Sequence, residues 1–125
     1  FGGNPVCCAA ALATLDLVEG GLMANAVVMG ERLQAGMRSL AERHECIGDV
    51  RGLGLMIGVE FVKDRATREP APDIVHQLVQ RAFAHGLLLL GAGKSTLRLA
   101  PPLVVNADDI DTALLLIGAR LSEIA

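Results

Sequence analysis

The chain has 125 residues, 52% of them hydrophobic, and a net charge of −3 from 11 basic and 14 acidic side chains. This is the length of one ordinary domain, with apolar content sufficient for a core. Three Phe with no Trp or Tyr give no stacking platform for single-stranded nucleic acid, and the scattered Lys and Arg form no patch for DNA or RNA.

The chain opens at Phe1-Gly2-Gly3 with neither a methionine nor a signal peptide, which predicts a piece of something longer. Asn4-Pro5 reads as a helix start: the Asn side chain caps free N–H groups and Pro suits the first helical position. From Val6 to Glu19 only Thr14, Asp16 and Glu19 are polar, and Gly20-Gly21 is expected to end the helix. A helix apolar all round has to be covered on more than one side. Cys7 and Cys8 lie within it and Cys46 further on. Three cysteines without a CxxC predict a reducing compartment and buried, inert thiols. No apolar run reaches the ~18 residues of a membrane span, so no membrane partner is expected.

Leu22 to Arg43 reads as an amphipathic helix, with Leu22, Ala26, Met29, Leu33, Met37 and Leu40 recurring at three or four residues and charges on the other faces. At Gly48 the period changes. "GDVRGLGLMIGVEFV" reads as one strand to Val62, with Leu55, Ile57, Val59 and Phe61 on one face and Glu60 on the other, either exposed, which is expected, or facing a neighbour. Residues 63–72 read as a loop. Asp73 to His85 is a third helix, with Ile74, Val75, Leu78, Val79, Ala82 and Phe83 inward and Gly86 as its stop. Leu87 to Leu90 is short and continuously apolar, the pattern of a central strand. A second strand spans 96–99, and Asn106 with Asp109 three residues on predicts a capped last helix. The sum is an α+β fold: a small three- to four-stranded, mainly antiparallel sheet with helices on one face.

Between the last two strands stands Gly93-Lys94-Ser95-Thr96, the ending of a phosphate-binding loop. The leading glycine of that motif is Leu88 here, and Pro101-Pro102 forbid the helix that must follow. Lys94 therefore reads as part of a polar turn. His44, His76 and His85 show no metal-ligand spacing, so no metal is expected, and no Ser/His/Asp set stands out. Asp49, Arg51, Lys63, Asp64 and Arg65 fit ordinary strand ends and loops. The sharpest candidate is Arg98. It alternates with Leu97 and Leu99 on a rigid strand, and its planar fork suits a carboxylate; composition alone favours the alternative, an arginine on the solvated face of an edge strand.

Three stretches carry a resemblance that covers nearly the whole chain. "FGGNPVCCAAALATLD" resembles the segment after the catalytic lysine in class III pyridoxal-phosphate aminotransferases. "VRGLGLMIGVEF" and "GLLLLGAGKSTLRLAPPLVV" are similar to that family's small-domain and closing motifs, in the same order. Within that family the chain resembles the 4-aminobutyrate, ornithine and acetylornithine aminotransferase group. The resemblance implies the C-terminal domain of a fold type I enzyme. Residues 1–21 would be an apolar helix docking on a large domain, and 22–125 the small domain. It implies pyridoxal 5′-phosphate as cofactor, bound by the intact enzyme and not covalently by this chain, because the Schiff-base lysine would lie upstream. No catalytic residue is then expected here, and the chain alone is expected to be inactive. Arg98 matches the arginine that binds a substrate carboxylate or pairs with an active-site glutamate. Gly2, Gly3 and Asn4 would line the partner subunit's phosphate site. The implied setting is a cytoplasmic homodimer acting on an amino acid and an oxo acid, with self-association of the isolated chain. The alternative is a free-standing, non-catalytic α+β interaction or regulatory domain.

Overall fold

The computed structural model describes residues 2–124. Helix α1 (Pro5–Leu17) begins as expected: Asn4 Oδ1 accepts from the N–H groups of Val6 (2.9 Å) and Cys7 (3.4 Å), and Pro5 occupies the first turn. Its end differs from expectation. Gly20-Gly21 does not stop the helix but kinks it through a wide π-type turn (Val18–Leu22), where Gly21 alone leaves helical angles (φ 159°, ψ −19°) and the N–H of Met23 reaches back to the carbonyl of Val18. Helix α2 (Met23–Arg43) continues from it.

The stretch read as one strand is two. Strands β1 (Ile47–Leu53) and β2 (Met56–Phe61) form an antiparallel hairpin with Leu53 paired to Met56. The tight reversal rests on Gly54 at φ +54°, a conformation that glycine adopts without strain. A Cβ on Gly30 of α2 would sit 2.2 Å from the Gly54 carbonyl oxygen, so helix and hairpin touch backbone to backbone. Helix α3 (Pro72–Ala84) ends at Gly86 (φ +82°).

The segment read as a central strand lies at the sheet edge instead. Strand β3 is only Leu90–Ala92, and β4 (Thr96–Leu99) sits between it and β2, giving the order β1-β2-β4-β3. Both neighbours of β4 run antiparallel to it. Strands β2 and β3 are therefore parallel, joined through α3 and split by β4. An apolar run at an edge leaves every second residue in water, and Leu88 and Leu90 are exposed while Leu89 is buried. Helix α4 (Ala107–Leu121) carries the expected Asn106–Asp109 capping box.

One face of the sheet supplies the core. Ile57, Val59, Phe61, Leu97 and Leu99 point into it and are all buried. Helix α2 covers the β1–β2 half and α3 the β4–β3 half, while α4 packs on both helices. Phe83, expected inward, is exposed at the flank of α3, beside Leu88 and Leu89. A clamp fixes the far end of α2: the Arg65 guanidinium donates to the carbonyls of Ala41, His44, Glu45 and Ile47, satisfying helix-end acceptors.

Helix α1 takes no part in this. None of its residues is buried, and among the described residues it touches only the kink that joins it to α2. Cys7 and Cys8 are thus exposed, contrary to expectation, because nothing covers the helix that carries them; Cys46 is buried, and burial pushes its thiol up. The kinked helix from Pro5 to Arg43 also contains a stretch long and apolar enough, by length and composition, to cross a membrane. The expectation that no such stretch exists failed because it took Gly20-Gly21 as a stop.

Candidate functional site

Among the described residues no helix covers the second face of the sheet. Pairing places side chains of partnered residues on the same side, so its rows follow from the register. Arg51, Gly58, Arg98 and Leu90 form one row; Asp49, Glu60, Thr96 and Ala92 form the next. Leu53 and Met56 close the hairpin end, 90% and 68% exposed. Arg98 is exposed while its neighbours Leu97 and Leu99 are buried, as the alternation predicts. Among the described residues it takes part in no ion pair. A recess of about 610 Å³ opens beside it, lined among others by Met56, Leu88, Leu90, Pro101 and Ile110. A cation with an unused fork next to an apolar hollow can hold a carboxylate whose carbon chain is shielded from water.

The other cation of the row is engaged. Arg51 Nη1 lies 2.7 Å from Asp49 Oδ2 and 2.9 Å from Glu60 Oε2. Hydrogen bonds to Asp49 first and Glu60 second hold its guanidinium above its ordinary range. The sequence did not reveal this network, because one strand over 48–62 separates Arg51 from Glu60 along its length. The signal that was present is "RGLGL": two glycines flanking one residue mark a reversal that brings the pair together. Asn25 was also missed. Its Nδ2 donates to the carbonyls of Leu103 (2.7 Å) and Val105 (2.9 Å), tying the start of α2 to the loop that follows the Arg98 strand.

Lys94 lies in the β3–β4 turn, with Gly93 at φ +57° and a strand following, which is no phosphate cradle. Lys63 is exposed and paired with Glu69 at 2.6 Å. The described residues contain no cluster of His, Cys, Asp and Glu able to hold a metal ion. His85 instead bridges two helices: its Nδ1 lies 2.9 Å from the carbonyl of Arg81 and its Nε2 2.6 Å from the Arg120 guanidinium. Gly2, Gly3 and Asn4 sit at the far end of α1, away from Arg98's sheet. A Cβ on Gly2 or Gly3 would meet nothing within 4 Å, so their backbone is open to approach, whereas the Asn4 oxygen is taken up by the cap.

The described residues thus form an antiparallel sheet backed by three helices, with a detached apolar helix and, on the bare face, one arginine engaged by carboxylates and one outside any ion pair. The comparisons place the chain. The family model for aminotransferase class-III matches residues 1–121, and the chain belongs to that family. A taurine–pyruvate aminotransferase of Rhodobacter capsulatus is 44% identical over 133 residues, covering 100% of this chain and 29% of its own length. An isoleucine 2-epimerase of Lentilactobacillus buchneri is 42% identical, over 90% of this chain and 25% of its own. Among solved structures, a Bacillus anthracis aminotransferase superposes with a TM-score of 0.93 at 32% identity, over 98% of this chain and 29% of that one. The chain thus spans about a quarter to three tenths of the relatives it matches.

Pyridoxal phosphate is the cofactor of class III aminotransferases, and an amine transaminase from an uncultivated Pseudomonas species, TM-score 0.89 and 34% identical, is described in its pyridoxal-phosphate-bound form. Among the described residues Lys63 and Lys94 are on exposed loops without an apolar enclosure, and the Gly2-Gly3 backbone is open.

Proposed function

We propose that this chain is the C-terminal small-domain portion of a pyridoxal-phosphate-dependent aminotransferase, in which Arg98 orients the substrate carboxylate. The observation that carries it is an arginine on the bare sheet face, unpaired among the described residues and beside an apolar recess, in a chain of this family. When bound, the cofactor supplies the electron sink for chemistry at the amino-bearing carbon. The protein's part is positioning. An amino acid and its oxo-acid partner both present a carboxylate, so one fixed guanidinium orients either. Gly2, Gly3 and Asn4 line the phosphate site of a second subunit in a homodimer, and residues 1–21 dock on the large domain, which covers the apolar helix. The stretch of spanning length is on this reading an enzyme interface and the protein cytoplasmic. Without the large domain's lysine, the chain alone is inactive.

Replacing Arg98 by Ala in the enzyme that carries this chain removes a charge-assisted contact worth roughly 1.5–3 kcal/mol, so kcat/KM falls about ten- to a hundred-fold. Arg98→Lys recovers only part, because an ammonium lacks the fork. Unchanged kinetics with every carboxylate substrate tested return Arg98 to a solvated surface role. A second reading, inversion at the amino-bearing carbon, is favoured by the isoleucine 2-epimerase and by an alanine/serine racemase of Pyrococcus horikoshii, 43% identical over 96% of this chain. Turnover of a chiral amino acid without any oxo acid selects inversion; a stoichiometric need for an oxo acid selects transamination.

A further inference from the structure

Glu60 stands between two arginines. It pairs across β2–β4 with Thr96 and across β1–β2 with Asp49, while the next row places Gly58 between Arg51 and Arg98. Each arginine is therefore one strand over and two residues along from Glu60, a diagonal that long side chains span. Gly58 has no side chain to separate them. A Cβ there would meet only Thr96 Cγ2 at 3.4 Å and the Arg51 carbonyl oxygen at 4.0 Å, so the space above the row is open. Of the two available cations Glu60 engages Arg51, at 2.9 Å, and Arg51 is held in place from its other side by Asp49 at 2.7 Å.

We propose that Arg51 is a positioning residue: it holds Glu60 away from Arg98 and so keeps that guanidinium free for a substrate carboxylate. This rests on the reading of Arg98 given above. A carboxylate of the protein and a carboxylate of the substrate are the same chemistry, so Glu60 is a competitor for Arg98 built into the adjacent strand. The Asp49–Arg51 pair removes that competitor. The two acidic and two basic side chains of these rows sum to zero, so an incoming carboxylate meets a local arrangement of charge and no large net field. Loss of Arg51 leaves Glu60 with Arg98 as the one remaining cation of the two rows.

The test uses the cofactor-loaded enzyme that carries this chain and two readouts at fixed salt: KM for the oxo acid, and the calorimetric affinity for butyrate, a carboxylate with neither amino nor oxo group. Arg51→Met is expected to weaken butyrate binding and raise KM about two- to fivefold, the scale of an exposed ion pair, with kcat falling by less. Glu60→Gln added to Arg51→Met is expected to restore both, and Glu60→Gln alone to leave butyrate binding as in the parent enzyme, because Arg51 already holds Glu60 off Arg98. A role of Arg51 in stability alone gives no such rescue. Butyrate binding unaltered by Arg51→Met, or weakened and not restored in the double variant, overturns the inference while leaving Arg98 its role. Butyrate binding that ignores Arg98→Ala overturns the reading beneath it, and the inference with it.

Discussion

Helices α1 and α3 are both 13 residues long and both open on a proline, yet one is bare and the other is built into the core. Helix α1 is the more apolar of the two and buries nothing; α3 carries Asp73, His76, Gln77, Gln80 and Arg81 and buries Val75, Leu78 and Ala82. The amount of apolar surface does not decide which helix docks. A lopsided helix has one face that prefers protein and another that prefers water, so a single sheet satisfies it. A helix that is apolar all round gains little from a one-sided surface and needs an enclosure that the described residues do not provide. The polar half of α3 is what allows it to sit at the surface of a small domain.

The largest effect concerns that missing enclosure. The exposed side chains of α1 include Val6, Leu12, Leu15 and Leu17. Covering some 400 Å² of such surface gains on the order of 10 kcal/mol before association costs, at ~25 cal/mol per Å². The isolated chain is therefore expected to self-associate, and removing residues 1–17 to leave a monomer by light scattering. A monomer before deletion, with α1 protected from hydrogen exchange, breaks the contrast between the helices. Next in size, Leu78→Ala in α3 is expected to cost the folded domain about 2–5 kcal/mol in denaturant unfolding, because Leu78 is fully buried. At concentrations low enough to keep the chain monomeric, Leu12→Ala in α1 is expected to stay within about 0.5 kcal/mol, as an exposed site. Similar losses at both positions would mean that α1 is packed in the isolated chain.

The two asparagine caps sharpen the contrast at smaller amplitude. Asn106→Ala removes the cap of α4, whose Ile110, Ile117 and Leu121 are core residues, and is expected to cost ~1 kcal/mol of global stability. Asn4→Ala removes an equivalent cap and is expected to leave the unfolding midpoint in place, fraying only α1 by hydrogen exchange. Smallest is a pH effect between α2 and α4. Arg32 forms two hydrogen bonds to the Asp111 carboxylate, at 2.8 and 2.6 Å, and holds its carboxyl below the usual carboxylate range. A depressed folded-state value stabilises the fold above the unfolded-state value, and that contribution is lost as pH falls through the folded one. Thermal unfolding between pH 7 and pH 3 should therefore show a shallower acid decline for Asp111→Asn than for the parent chain.

Much of the site was legible where a local rule fixes the outcome. Alternation placed Arg98 opposite Leu97 and Leu99, and two prolines removed Lys94 from phosphate binding. The partners of Arg98's face were not legible, because they depend on register across strands. Reading residues 48–62 as one strand hid the hairpin, and with it the meeting of Asp49, Arg51 and Glu60. The edge position of β3 was hidden for a related reason: a run of four leucines suits a central strand, and only the insertion of β4 beside β2 shows which leucines keep a neighbour.

By itself the sequence determined the helix starts at Asn4 and Asn106, the buried stripe of α2 and the outward arginine. Each follows from capping chemistry or side-chain period within a few residues. Tertiary structure decided the continuation through Gly20-Gly21, the strand order and the exposure of α1 with its two cysteines. Glycine permits a kink as readily as a stop, strand order is a choice among distant partners, and an apolar residue is buried only when another surface arrives to cover it.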